Sequence, residues 1–150
     1  MQTKTRLTDS TASESENPGV FAIVEDDLEL GLALVSWFDM RGSKASHHGS
    51  AESLLQMIDA GGMVPLPGSQ AEPAAGQAPL LGAVLDLNLP GQSGVQLAFR
   101  LRQMYPHIPL VMITALRPAE RARFGTLPEG VRCLTKPFDL DGLEEALFPA

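Results

Sequence analysis

The 150-residue sequence is poor in cysteine and in basic residues, and each shortage excludes a class of protein. Cys133 is the single cysteine, so the chain cannot form an intramolecular disulfide. Eleven Lys and Arg residues stand against eighteen Asp and Glu residues, and the net charge of −7 argues against unaided binding to nucleic acid or to an anionic membrane. Residues 1–19 contain no apolar stretch that would act as a signal peptide or membrane span, so we expect a cytoplasmic protein.

Length and composition indicate one folded domain, residues 20–150, after a polar tail. A chain of this length buries a single core, and a hydrophobic fraction of 44% is ordinary for a globular protein. Residues 1–19 are rich in Thr, Ser and Glu without apolar periodicity, which predicts a flexible tail. Gly and Pro are frequent in residues 61–79, a segment far longer than the usual connection of about 2–6 residues. We interpret it as a flexible insertion without a helix or strand of its own.

Short apolar runs alternate with helical patterns through the rest of the chain. This alternation predicts a mostly parallel sheet with helices on both faces, because crossovers between parallel strands are right-handed and pack helices against the sheet. The predicted strands are residues 20–24, 44–47, 80–85, 108–113 and 131–135. The predicted helices are residues 28–40, 50–58, 95–104, 117–124 and 140–147, with Asp27, Ser50 and Asp139 at the starts of three of them.

The predicted helix at residues 28–40 carries two apolar rows. One contains Leu30, Leu34, Trp37 and Phe38, and the other contains Leu28, Leu32 and Val35. One row is enough to cover the sheet. The second row is either buried as well, because a helix between two neighbours can be apolar most of the way round, or it docks a partner helix. Burial of both rows is the more ordinary explanation.

His47 and His48 are adjacent, which raises the question of a metal site. Adjacent His side chains rarely point at one ion, and no cysteine or third His lies nearby in the sequence. We therefore expect two plain surface residues.

Polar side chains follow four of the predicted strands at the point where each strand ends. Glu25 and Asp26 follow the first, Asp86 ends the apolar run at 80–85, and Thr114 and Lys136 follow the last two. The carboxyl ends of parallel strands share one edge of a sheet, where ligands bind in open α/β folds. The sequence therefore predicts that these five side chains converge.

Three carboxylates in one place need a cation. At separations of about 5 Å each pair repels by roughly 3 kcal/mol at an effective dielectric constant of about 20. An all-oxygen site of this kind fits Mg²⁺, which keeps water ligands to share with phosphate. Lys136 and the Thr114 hydroxyl then form an anion-binding rim, so the chemistry we infer is phosphoryl transfer to Asp86.

These motifs make the chain from residue 20 to 148 resemble the receiver domain of response regulators in two-component signalling. The matching segments are Val24-Glu25-Asp26-Asp27, Leu85-Asp86-Leu87-Asn88-Leu89-Pro90 with Gly94, Thr114-Ala115, and Lys136-Pro137-Phe138. The resemblance implies a doubly wound, flavodoxin-like α/β fold. Its sheet would have five parallel strands in the order 2-1-3-4-5, with helices on both faces.

The resemblance also implies a role for each residue of the site. Asp86 would be the phosphoacceptor, and Mg²⁺ would be held by Glu25, Asp26, Asp86 and the backbone carbonyl of Asn88. Thr114 would bond the phosphoryl group and shift on activation. Lys136 would pair with that group, and the peptide bond from Lys136 to Pro137 would be cis.

One position departs from the family pattern. Three residues before the lysine, receiver domains usually place an aromatic side chain that works with the threonine as a switch, whereas this chain has Cys133. We expect a small core residue there rather than a redox sensor, because nothing obvious in the sequence lowers the pKa of its thiol. Output therefore depends on another element.

The implied function is a switch that takes a phosphoryl group from a histidine kinase or a phosphotransfer protein. Such a receiver catalyses only its own phosphorylation and dephosphorylation. No DNA-binding helices follow residues 140–147, so we expect a stand-alone receiver that contacts a downstream protein rather than nucleic acid or membrane. The contact surface would be formed by residues 117–124, residues 131–135 and the last helix. A homodimer is left open.

Two other functions are compatible with parts of this pattern. A magnesium-dependent phosphatase would use Asp86 as its nucleophile, but such enzymes generally need a second acid two residues later, where Asn88 stands. A receiver-like scaffold that works without phosphorylation is the other alternative, and the intact Asp86, acid pair and Lys136 argue against it.

Overall fold

The computed structural model describes residues 19–67 and 76–148. The tail is predicted over residues 1–19, of which residues 1–18 lie outside the described residues. The strands are β1 (Val20–Val24), β2 (Lys44–His48), β3 (Met63–Pro65), β4 (Gln77–Asp86), β5 (Leu110–Thr114) and β6 (Arg132–Thr135). The helices are α1 (Leu28–Met40), α2 (Ala51–Met57), α3 (Gly94–Met104), α4 (Pro118–Arg121) and α5 (Leu140–Leu147), and a 3₁₀ turn (Ala122–Phe124) follows α4.

The sheet has the predicted architecture. Five parallel strands lie in the order β2-β1-β4-β5-β6, which confirms the doubly wound order once the short β3 is set aside. Alternate residues of β1 point to opposite faces, so Ala22 packs with α2 and α3 while Ile23 packs with α1 and α5. Helices therefore cover both faces, and the carboxyl ends of the strands are left at one open edge.

Three of the helices begin where the sequence predicts. The Asp27 carboxylate accepts a hydrogen bond from the Leu30 N–H at 3.3 Å and caps α1. Ser50 caps α2 and Asp139 caps α5 in the same way, by accepting an N–H of the first turn. These caps satisfy backbone donors that have no partner inside a helix.

The prediction for residues 61–79 is wrong at both ends of the segment. β3 pairs antiparallel with the beginning of β4, so that Val64 lies opposite Ala78. Both side chains are buried in the core, and the Tyr105 hydroxyl donates a hydrogen bond of 2.6 Å to the Gly62 carbonyl. The sequence does not reveal this pairing, because Gly and Pro are frequent in the segment. Only alternate residues such as Val64 and Ala78 are buried, so the segment contains no apolar run that would predict a strand. Residues 68–75 lie outside the described residues.

The two apolar rows of α1 have different surroundings. Leu34 and Phe38 are buried, and Phe38 stacks on Phe21 with ring centroids 4.7 Å apart. Leu28 and Leu32 are 62% and 52% exposed, so the prediction that both rows are buried is wrong. Docking of a partner helix there stays a prediction.

Candidate functional site

The predicted side chains meet at the carboxyl edge of the sheet. Glu25 and Asp26 follow β1, and Asp86 is the last residue of β4, the strand next to β1. Thr114 is the last residue of β5, and Lys136 follows β6. We call the group formed by Glu25, Asp26, Asp86 and Lys136 the acid pocket.

The three carboxylates of the acid pocket are close enough to share a cation. One oxygen from each of Glu25, Asp26 and Asp86 lies within 4.8 Å of the other two. Glu25 is 1% exposed and Asp86 is 6% exposed, whereas Asp26 faces solvent. Three carboxylates and the Lys136 ammonium leave a formal charge of −2, so the donor set fits a divalent ion with oxygen ligands.

Lys136 connects two of these acids. Its Nζ lies 2.9 Å from Glu25 Oε1 and 3.3 Å from Asp86 Oδ2. Burial alone would lower the pKa of Lys136, but the hydrogen bond that Lys136 donates to Glu25 and the charges of Asp86 and Glu25 outweigh that effect and raise the pKa above its usual value. Lys136 therefore remains a cation beside the Asp86 carboxylate.

Backbone geometry fixes the Asp86 side chain. Asp86 Oδ1 accepts a 3.0 Å hydrogen bond from the Asn88 N–H. Gly94 lies so close to the Asp86 carbonyl that a side chain at position 94 would collide with the backbone. This contact explains the Gly94 of the sequence motif. The role of the Asn88 carbonyl as a metal ligand stays a prediction.

Thr114 is buried next to this group. It follows Ile113, which is the β5 neighbour of Asp86 in the sheet. The Thr114 hydroxyl accepts a 3.0 Å hydrogen bond from the Leu116 N–H, and the Thr114 carbonyl accepts a 2.6 Å bond from the Lys136 N–H. The peptide bond between Lys136 and Pro137 is cis, as predicted.

Cys133 lies on β6 beside Met112 of β5 and is half-buried against the core. Burial raises the pKa of its thiol, and the nearby positive charge of Arg121 opposes that change only in part. The expectation of a small core residue agrees with this environment. We call the surface formed by α4, the following 3₁₀ turn and β6 the α4–β6 face.

The prediction of surface positions for the two histidines is wrong. His47 Nε2 lies 2.7 Å from the Glu25 carbonyl oxygen, and it fills the space in which Gly31 of α1 has no side chain. His48 is 6% exposed, with its Nε2 2.8 Å from the Ser46 hydroxyl. Burial, and then the charge of His47, lower the pKa of His48 to about 4. Neither histidine belongs to a metal-binding cluster in residues 19–67 and 76–148.

Sequence reasoning missed Arg121 and His47. His47 supports the backbone of Glu25 from β2, and Arg121 joins α4 to β6 by hydrogen bonds to Leu116 and Thr135. In the sequence, Arg121 lies in a short, Arg-rich helix and His47 lies in a weak strand. Neither pattern distinguishes these two residues from residues that face solvent. Only the packed sheet brings their partners to them.

The described residues contain no helix that is long and apolar enough to cross a membrane.

Comparison with known proteins relates residues 69–148 to the family model described as "Response regulator receiver domain". The chain is 35% identical over 60 residues to the response regulator protein FleR of Pseudomonas aeruginosa, an alignment that covers 40% of the chain and 13% of FleR. It is 27% identical over 148 residues to Nodulation protein W of Bradyrhizobium diazoefficiens, covering 92% of the chain and 53% of that protein. The chain thus spans about half the length of Nodulation protein W and a small part of FleR.

Solved structures show the same fold. A response regulator receiver protein from Sinorhizobium medicae superposes with a TM-score of 0.66 at 22% identity, covering 89% of this chain and 93% of that one. The chemotaxis response regulator CheY4 of Vibrio cholerae gives 0.63 at 17% identity, covering 87% and 99%. At these identities the likeness concerns the fold alone.

Proposed function

Because the chain belongs to the response regulator receiver domain family, we propose that it is a phosphoacceptor switch in which Asp86 receives a phosphoryl group from a phosphohistidine donor. Receivers of this family are signalling switches rather than conventional enzymes. The observation that carries the proposal is the acid pocket, where a nearly buried carboxylate lies beside a cation and two further acids. A pocket with that arrangement has no evident structural purpose at the edge of a sheet.

The side chains of the pocket support an in-line displacement on phosphorus. An oxygen of Asp86 attacks the phosphorus atom as the bond from phosphorus to the donor imidazole nitrogen breaks, and the imidazole leaves with the electron pair. The Asn88 N–H and Lys136 hold the attacking carboxylate in one orientation. Lys136 also lies where it can neutralise charge on the phosphoryl oxygens.

Glu25, Asp26, Asp86 and the Asn88 carbonyl would hold Mg²⁺, consistent with the oxygen donors gathered there. When bound, the ion supplies positive charge that offsets repulsion between the carboxylates and the incoming phosphoryl group. Glu25 contributes in a second way, because its other oxygen, Oε2, accepts a 3.0 Å hydrogen bond from the Asp27 N–H. That bond fixes the turn that carries Asp26.

Thr114 is the group that senses the phosphoryl oxygens. Its hydroxyl is buried at the end of β5 and has one hydrogen atom to donate to an anion, while it accepts from Leu116. The output would be a changed protein contact on the α4–β6 face and α5. The histidine kinase or phosphotransfer donor, the downstream protein and a cytoplasmic location all remain part of the proposal.

Acetyl phosphate provides a direct test. The protein is incubated with MgCl₂ and acetyl phosphate, and its intact mass is recorded. We expect one phosphoryl adduct that is lost in Asp86→Asn and when EDTA replaces MgCl₂. Asp39→Asn, which changes an exposed acid on α1, is the matched control and should keep the adduct.

Each of the other outcomes would indicate a different function or a different acceptor residue. No adduct on the wild type contradicts the proposal and favours a phosphorylation-independent scaffold. An adduct that persists in Asp86→Asn shows that another residue is the acceptor. Rapid hydrolysis of unrelated phosphate esters would instead indicate a phosphatase.

A further inference from the structure

The side chain of Arg121, at the end of α4, connects β6 with the turn after β5, and its charge acts on the Cys133 thiol. The gap between β6 and the turn after β5 is therefore bridged by a guanidinium group.

Arg121 makes two hydrogen bonds that join separate elements. Its Nε–H donates to the Leu116 carbonyl at 3.1 Å, and its Nη2 donates to the Thr135 hydroxyl. Leu116 lies in the turn after β5, and Thr135 is the last residue of β6. α4, the turn and β6 are thus held together by one side chain.

Leu116 connects Arg121 to the acid pocket. Its N–H donates to the Thr114 hydroxyl at 3.0 Å, while its carbonyl accepts from Arg121. A continuous chain of hydrogen bonds therefore runs from the buried Thr114 hydroxyl through Leu116 to the exposed Thr135. Any movement of the hydroxyl oxygen displaces or breaks the first bond of this chain.

Both acceptors of Arg121 are neutral. No carboxylate lies within 4.0 Å of its guanidinium in the described ranges, whereas Arg117, Arg132 and Lys136 each have an acidic partner. A guanidinium group without a carboxylate is more easily released than one in an ion pair, because hydrogen bonds to solvent replace the two it loses. The hydrogen bonds of Arg121 to Leu116 and Thr135 can therefore break when the protein changes its conformation.

We propose that Arg121 is the positioning residue that passes the state of Asp86 to the α4–β6 face. The inference rests on the proposed function. When the Thr114 hydroxyl oxygen moves to bond a phosphoryl group, the Leu116 backbone shifts, and Arg121 leaves Leu116 and Thr135. The guanidinium group then becomes available at the surface, where an acidic partner can bind it.

The test uses the full chain and beryllofluoride with Mg²⁺ as a stable substitute for the phosphoryl group. The Arg121 Nε–H signal, assigned with Arg121→Lys, is followed by ¹⁵N NMR with and without beryllofluoride. We expect a hydrogen-bonded Nε–H in the free protein that shifts and exchanges faster with water after addition. In Arg121→Gln, the Leu116 amide should exchange roughly tenfold faster than in the wild type before addition, as loss of one hydrogen bond from a charged donor implies.

Arg123→Gln is the matched control, because Arg123 is exposed two residues away and has no part in the chain of hydrogen bonds. It should behave as the wild type does. Arg121→Lys separates charge from geometry, since a lysine keeps the charge but reaches only one of the two acceptors, and we expect its Leu116 amide to exchange faster than that of the wild type, as in Arg121→Gln.

The outcomes distinguish this inference from the function on which it rests. If beryllofluoride causes no change at Asp86 and acetyl phosphate gives no adduct, both are wrong. If Asp86 responds but the wild-type Arg121 Nε–H does not, only the role of Arg121 is wrong. The wild-type measurement decides the matter even if Arg121→Gln does not fold.

Discussion

The acid pocket and the α4–β6 face lie side by side but are built differently. The pocket lies at the carboxyl ends of β1 and β4, where the strand residues are buried, and Lys136 joins it from directly after β6. The α4–β6 face has a four-residue helix without a buried residue and a strand that is exposed at both ends. Reacting groups need fixed positions, whereas a surface that reports a state needs freedom to change. These requirements separate the buried ends of β1 and β4 from the α4–β6 face, and Lys136, directly after β6, lies where the two regions meet.

The largest effect is expected from Lys136→Ala, which should slow the phosphorylation of Asp86 in the acid pocket. Removing the ammonium group leaves Asp86 and Glu25 without their shared cation, and loss of one such electrostatic partner costs about 10²–10³-fold in rate. The measurement is the rate of adduct formation with acetyl phosphate. Lys44→Ala, at an exposed position of β2, should leave the rate unchanged. Equal rates in both variants would mean that Lys136 does not assist phosphorylation.

Ile113→Ala and Leu134→Ala test whether the sheet is more rigid on the pocket side. The two residues are partners across β5 and β6, but Ile113 is fully buried and Leu134 is half-buried. We expect the free energy of unfolding to fall by about 2–5 kcal/mol for Ile113→Ala and by about 1 kcal/mol for Leu134→Ala. Urea denaturation measures both. Equal losses would show that the two regions are equally well packed.

The buried His48 makes the free energy of unfolding depend on pH. Its pKa is about 4 in the folded protein and 6.5 unperturbed, so the unfolded chain binds a proton between these values and the folded chain does not. Its contribution to stability is complete above pH 6.5 and falls as the pH decreases towards 4, by up to about 3 kcal/mol. The measurement is urea unfolding in EDTA across this range.

His48→Gln should flatten that part of the pH profile relative to the wild type, because glutamine keeps a polar atom near Ser46 without titrating. His107→Gln, at an exposed position before β5, is the control and should retain the slope. An unchanged slope in His48→Gln would assign the pH dependence to other groups.

Much of the acid pocket can be predicted from the sequence, because each of its residues ends or follows an apolar run. The parallel order then requires Glu25, Asp86, Thr114 and Lys136 to meet at one edge. The family resemblance adds roles to these positions. The predictions that are wrong concern side chains whose neighbours come from distant segments of the chain, such as the exposed Leu28 and the buried His48.

The sequence by itself determined the order of the elements, three helix caps and the edge of the sheet at which the reactive groups lie. These follow from local periodicity, from local hydrogen bonds and from the handedness of crossovers. Tertiary structure alone decided that β3 pairs with β4, that Leu28 and Leu32 of α1 are exposed and that Arg121 bridges Leu116 and Thr135. Each of these depends on what an element meets across the fold, and no pattern within the element records its neighbour.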